Sequence, residues 1–269
     1  MDYATPTRRA GALAWLLVAG ATGPALAQSA GDADWPAYGG DPAGTRFSPL
    51  TQITRTNVAR LQVAWTYHTG ELAERFATEE ETALEVTPLV IGAVMYVSTP
   101  LGRVIALDAA TGAERWVFDP GIDRSITYGD FTNRGVAAWL DSAAAPASAC
   151  RLRIYVATID GRLIALDAQD GRPCRDFGDG GTVRLKTTLR VPPFEEAAYE
   201  VTSPPVVVNG RVIVGSAIGD NSRLAPASGE VQAFDARSGR RRWVWDPIPQ
   251  DAADPASATW RHGSAHTTG

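Results

Sequence analysis

"GRVIALDAATGAERWVFDP" runs from Gly102 to Pro120, "GRLIALDAQDGRPCRDFGD" begins at Gly161, and "GEVQAFDARSGRRRWVWDP" begins at Gly229. Each copy opens with an alternating apolar run of the kind that forms a strand. Each run ends in an aspartate (Asp108, Asp167 or Asp235), with glycine four residues later. That pattern predicts a tight turn, because an Asp carboxylate bonds nearby backbone amides and Gly tolerates positive φ. A closing strand follows, carrying Trp116 in the first copy and Trp243 in the third, with Phe177 in that place in the second. Further strand-like runs precede the copies: "TPLVIGAVMYVST", "RLRIYVATID" and "SPPVVVNGRVIVGSA". "LQVAWTYHTGE" (Leu61 to Glu71) reads as the closing strand of an earlier unit, with Trp65 in the matching position.

The three turn aspartates are 59 and 68 residues apart. A four-stranded propeller blade takes about 40–50 residues, so each interval holds one blade and an insertion. The sequence is all-β by this reading, and Asp108, Asp167, Asp235, Trp65, Trp116 and Trp243 are architectural residues that close turns and pack blade on blade. Three blades and the end of a fourth do not close a ring, which takes four to eight. The expectation is therefore the front part of a longer propeller.

The 269 residues are 45% hydrophobic with a formal net charge of −5, which suits a folded domain and argues against a nucleic-acid partner. The first 27 residues read as an export signal to be removed: Arg8 and Arg9, the short apolar run "AGALAWLLVAG", and "ALA" ending at Ala27. The paired arginines leave both the general and the twin-arginine routes open. The apolar run is too short to cross a bilayer, and nothing after residue 27 is apolar enough to do so. The expected mature chain, residues 28–269, is thus periplasmic. In that oxidising compartment the two cysteines, Cys150 and Cys174, are expected to be bonded to each other.

The tryptophan-docked copies, together with "DWPAYGG" from Asp34, "RFSPL" from Arg46 and "ITRTNVARLQVAW" from Ile53 to Trp65, resemble the quinoprotein dehydrogenases. The resemblance implies an eight-bladed β-propeller, of which about half is present, that binds pyrroloquinoline quinone and Ca2+. Gly40 stands where the family usually has a basic residue, and Thr54 where it has Asn or Ser. By the same resemblance, Glu85 in "LEVTP", Arg134 in "NRGVAAW" and Thr202 in "VTSPP" are cofactor contacts, and Asp220 in "GSAIGDN" is the metal ligand. The chemistry suits the residue types, since a guanidinium matches a carboxylate-bearing quinone and calcium takes oxygen ligands.

Tyr128 and Gly129 stand where the methanol-type enzymes carry adjacent cysteines, and "DN" at Asp220 and Asn221 is closer to the membrane glucose dehydrogenases, as are both cysteine positions. Their membrane bundle is absent, and Trp139 lies near the place of one of their histidines. The implied activity is oxidation of a sugar or alcohol hydroxyl, with electrons passing to ubiquinone or a cytochrome. The family's proton-accepting Asp is expected beyond residue 269, so no catalytic residue is assigned here. His262 and His266 do not make a metal pair, because Gly263 and Ser264 disfavour a helix and no third ligand follows. "GDGG" at Gly178 follows no strand-to-helix pattern and is not a phosphate loop. The competing class is a non-enzymatic periplasmic propeller of the outer-membrane assembly type, which shares the docked tryptophans and lacks the Glu85, Arg134 and Asp220 set. Protein recovered from the periplasm is expected to begin near Gln28; mass spectrometry finding intact Met1 there would overturn the processing site.

Overall fold

The computed structural model describes residues 34–72, 77–78, 81–219, 226–251 and 253–260. The export signal, Asp220, His262 and His266 lie outside the described residues. Three four-stranded antiparallel sheets follow one another along the chain. The first comprises β2 (Leu89–Ile91), β3 (Val94–Ser98), β4 (Val104–Asp108) and β5 (Glu114–Phe118) in sequential order. β7 (Ala137–Leu140), β8 (Leu152–Ala157), β9 (Arg162–Asp167) and β10 (Thr182–Arg184) make the second. The third holds β12 (Val206–Val208), β13 (Arg211–Val214), β15 (Val231–Asp235) and β16 (Arg241–Trp245). Outside these sheets are four two-residue strands: β1 (Thr82–Ala83) beside β6 (Phe131–Thr132), and β11 (Tyr199–Glu200) beside β14 (Ala217–Ile218). The only helices among the described residues are short 3-10 turns.

The core lies between blades. In β8, Ile154 and Val156 face the first blade while Tyr155 and Ala157 face the third. In β9, Ile164 and Leu166 face the first and Leu163 and Ala165 the third. A strand covered on both faces needs apolar residues at every position, which is why "LIAL" reads as a continuous run rather than a half-polar alternation.

Each turn aspartate does what its sequence implies. Asp108 Oδ1 accepts from the backbone N–H of Ala110 and Thr111, and Asp235 Oδ1 from those of Arg237 and Ser238. The other oxygen takes an arginine seven residues on, Arg115 at 2.8 Å for Asp108 and Arg242 at 2.6 Å for Asp235. At that position the second blade has Cys174, bonded to Cys150 with a Cα separation of 5.8 Å. The Cys150 N–H donates to Asp167 Oδ2 at 2.7 Å, so the disulfide segment occupies the place of the missing arginine. The expected Cys150–Cys174 bridge is present, and the strands it brackets, β8 and β9, are paired.

Two expectations need correction. Phe177 is not on the closing strand of the second blade, which is β10 at Thr182–Arg184. The chain makes one bridge, Leu166 with Pro173, then loops out before rejoining β9 at Thr182. Phe177 is wholly buried within that loop, against the Tyr155 ring. Leu61 to Glu71 forms no strand, because a ladder needs a neighbour and this segment pairs with none among the described residues. Its Trp65 nevertheless docks as the repeat implies, donating Nε1–H to the Ala109 carbonyl at 3.3 Å.

The "DW" segment was not foreseen as a strand partner. Trp35 makes both antiparallel bonds with Val90 on β2, at 2.7 and 3.0 Å. Its indole leaves only 3.1 Å to where a Cβ on Gly40 would lie, and Gly40 has φ +86°. That close approach and the positive φ together favour glycine at position 40.

Trp116 reaches from the first blade to the second, donating Nε1–H to the Ala168 carbonyl at 3.1 Å and covering Gly171. A Cβ on Gly171 would lie 2.5 Å from the indole, at a backbone φ of +73°. Gly171→Ala is expected to destabilise the protein by about 2–4 kcal/mol, from the left-handed backbone and the displaced ring together. Gly210→Ala, at φ +68° with open space around it, isolates the backbone share of about 1–2 kcal/mol. Equal losses in denaturant unfolding of the two variants would show that the docking contributes nothing.

Candidate functional site

Glu85 lies two residues after β1, Arg134 two after β6, and Thr202 two after β11. Each also sits three or four residues ahead of the first strand of a blade: β2, β7 and β12 respectively. The site is thus one position repeated in three consecutive blades. Asp220, two residues beyond the end of β14 in sequence, lies outside the described residues.

Backbone bonds lay the three segments side by side. The Thr87 N–H donates to the Arg134 carbonyl at 3.1 Å, and the Arg134 N–H donates to the Thr202 carbonyl at 2.9 Å. Asn133, buried beneath, donates Nδ2–H to the Ala157 carbonyl at 2.8 Å and accepts from the Gly135 N–H at 3.2 Å, which fixes the backbone on either side of Arg134.

The side chains converge on the guanidinium. Arg134 Nη1 donates to Thr202 Oγ1 at 2.8 Å, and Nη2 meets Glu85 Oε2 at 2.8 Å. Asp130 Oδ2 lies 3.4 Å from the same Nη2. Thr132 Oγ1 donates to the Ala83 carbonyl at 3.1 Å and lies 3.5 Å from Glu85 Oε2. Thr132 and Thr202 are buried, whereas the side chains of Arg134, Glu85 and Asp130 are 33%, 47% and 52% exposed. The charged ends therefore stand on a firm polar floor with one side open.

The structure brings Glu85, Arg134 and Thr202 together. Asp130 and Thr132 were missed. Their signal was weak: an acid four residues ahead of Arg134 and a hydroxyl on a two-residue strand, neither distinctive without the fold. Glu200 was also missed. It is a buried carboxylate on β11 whose Oε1 accepts from the Gly129 N–H at 2.7 Å. Burial is the largest influence on it and raises its pKa above the ordinary carboxylate range, against the pull of that N–H. Burial likewise raises the Tyr128 phenol. No group of three or more His, Cys, Asp or Glu side chains suited to a metal occurs among the described residues. No helix among them is long and apolar enough to cross a membrane.

Successive four-stranded blades with aromatic docking, and polar residues gathered where the blades begin, define a β-propeller with a site built across blades. Residues 35–268 match the glucose/ethanol/alcohol dehydrogenase β-propeller domain designated PQQ, and the chain belongs to that family. The quinoprotein glucose dehydrogenase of Escherichia coli (strain K12) is 37% identical over 224 residues, which are 82% of this chain and 28% of that protein. The glycerol dehydrogenase large subunit of Gluconobacter thailandicus is 39% identical over 230 residues, covering 83% of this chain and 30% of its own. Among solved structures, the quinohemoprotein alcohol dehydrogenase of Comamonas testosteroni superposes with a TM-score of 0.63 at 34% identity, over 82% of this chain and 28% of that one. The chain spans less than a third of the length of these relatives.

Because the ion pairs of Arg134 are a third to a half exposed, they contribute little to folding. Arg134→Met is expected to lower stability by no more than about 1 kcal/mol. A loss several times larger in urea unfolding would assign Arg134 a structural role in place of a binding one.

Proposed function

We propose that this chain supplies one side of the pyrroloquinoline quinone and calcium site of a periplasmic dehydrogenase that oxidises a sugar or alcohol hydroxyl. The observation that carries the reading is the Arg134 cluster, in which residues leading into three blades meet around a single partly exposed guanidinium. The donor set fits the group. A guanidinium held at fixed angle by Thr202 and Glu85 presents its remaining N–H bonds to carboxylate or carbonyl oxygens with little further ordering. Glu85 and Asp130 together outweigh Arg134 by one negative charge, and Asp220 adds another by sequence. An anionic quinone is therefore favoured here only when a divalent cation accompanies it, and carboxylate and carbonyl oxygens suit calcium.

When bound, the quinone would accept hydride from the hydroxyl-bearing carbon while calcium polarises it. Arg134 orients that group against the Thr202 floor. Glu85 holds the Arg134 Nη2. No described residue is assigned as the base that takes the hydroxyl proton, and the electron acceptor, ubiquinone or a cytochrome, belongs to this proposal alone.

Reconstitution with pyrroloquinoline quinone and calcium tests the reading by quenching of tryptophan fluorescence. Binding is expected to require calcium and to weaken about ten- to a hundredfold in Arg134→Met, the loss that follows from one charge-assisted bond. The 269-residue chain alone is expected not to turn over glucose, other aldoses or simple alcohols. Calcium-independent binding, or equal affinity in Arg134→Met, would overturn the site, and turnover by this chain alone would overturn the assignment of the base elsewhere.

A further inference from the structure

We propose that Glu200 is a positioning residue: its carboxylate ties down the Tyr128–Asp130 loop and thereby fixes the segment that presents Arg134. What Arg134 meets rests on the reading under Proposed function; the tie itself does not.

Glu200 is only 6% exposed, and its Oε1 accepts from the Gly129 N–H at 2.7 Å. A Cβ on Gly129 would lie 3.6 and 3.8 Å from the two carboxylate oxygens, so the loop backbone runs directly against the acid. Five residues later the same segment is bound again. The Arg134 N–H donates to the Thr202 carbonyl at 2.9 Å, and its Nη1 to Thr202 Oγ1 at 2.8 Å. Residues 129–134 are thus anchored at both ends on residues 200–202. The middle is pinned independently, by β6 against β1 and by Asn133 on the Ala157 carbonyl. Such a segment has little freedom to swing Arg134 away from Thr202.

A carboxylate in this place is poor for stability. Burial raises its pKa, and Asp130, the like charge facing it, adds to the rise, while Lys186 opposes it. The folded state therefore holds the proton more readily than the unfolded chain, so stability falls as pH rises from the ordinary carboxylate range through the raised folded pKa. Packing alone is better served by an apolar side chain of the same volume. What an apolar side chain lacks is an acceptor for the Gly129 N–H. Tyr128, edge-on to Phe131 in the neighbouring apolar cluster, packs the loop and supplies no such acceptor.

The test measures amide hydrogen exchange and quinone binding in Glu200→Leu and Glu200→Gln. In Glu200→Leu, exchange at the Gly129 and Arg134 amides is expected to quicken about tenfold or more, and binding of pyrroloquinoline quinone with calcium to weaken comparably. Amides within the blades, such as Ile105 and Ile164, stay protected. Glu200→Gln keeps an acceptor oxygen and is expected to remain within about threefold of the parent in both readouts. Unchanged exchange at Arg134 in Glu200→Leu overturns the tie. Faster exchange there with unchanged quinone affinity overturns the positioning role. A parent protein that binds no quinone overturns the proposed function, and exchange then decides the tie by itself. If Glu200→Leu fails to fold, Glu200→Asp decides: it keeps the charge and withdraws the oxygens by one methylene, and parental protection of Gly129 in it overturns the proposal.

Discussion

A single aromatic side chain crossing from one blade to the turn of the next sets the geometry of everything else. Trp116 is buried to 9% exposure, shares the Ala168 carbonyl with the Tyr96 hydroxyl, and covers Gly171. Two donors on one acceptor, with a ring face over a glycine, leave the neighbouring blade one angle at which it packs. The indole and phenol also meet at a ring separation of 5.9 Å, so the contact is apolar as well as hydrogen-bonded. The second blade lacks the tryptophan, and there Tyr155 donates its hydroxyl to the equivalent carbonyl, that of Ala236. The Gly178 N–H adds a backbone bond to the Ser238 carbonyl at 3.0 Å. The interface survives the loss of its usual side chain because the acceptor is backbone and the tyrosine already stood beside it. Trp243, the corresponding residue of the third blade, is 39% exposed and meets no following turn among the described residues.

The turn that receives the ring is itself held by charge. Asp108 is drawn down to about 2 by its bonds from Arg115 and Thr111. A carboxyl depressed in this way stabilises the fold at pH above its unfolded value, and the contribution fades as pH falls toward the folded one. In the second blade Asp167 accepts instead from a backbone N–H beside a disulfide. The loop after Pro173 explains the exchange: with the chain leaving the ladder there, an arginine side chain has no strand to extend along, whereas a covalent bond to Cys150 holds the departing segment directly.

The fold was legible where one residue type does one local job. Asp and Gly at fixed spacing announce a turn, and unbroken apolar runs announce strands covered on both faces. What failed were statements that needed neighbours. Leu61 to Glu71 has the composition of a strand, yet pairing is a property of two segments. Phe177 has the right chemistry for a closing strand, but Pro173 and the cysteine bond divert the chain before it arrives. The site was legible only in part for the same reason. Glu85, Arg134 and Thr202 could be picked out by resemblance to a known family, whereas Asp130, Thr132 and Glu200 matter because of what they touch 47 to 71 residues away, or four residues along the chain.

These two levels meet in the way the site is distributed. Glu85, Arg134 and Thr202 occupy equivalent places at the start of three successive blades, so their mutual distances depend on the angles between blades rather than on any one loop. A binding constellation must hold its groups to within about 0.5 Å. Over several blades such tolerance requires each interface to be stiff, and the docked aromatics tie each blade to the turn of the next. The short strands β1, β6, β11 and β14 complete the arrangement. Each is too brief to stabilise a sheet, yet β1, β6 and β11 set the direction of the two residues that follow each of them. Stability is thus concentrated in the blades and their docking contacts, while the partly exposed pair of Arg134 and Glu85 is only weakly coupled to folding.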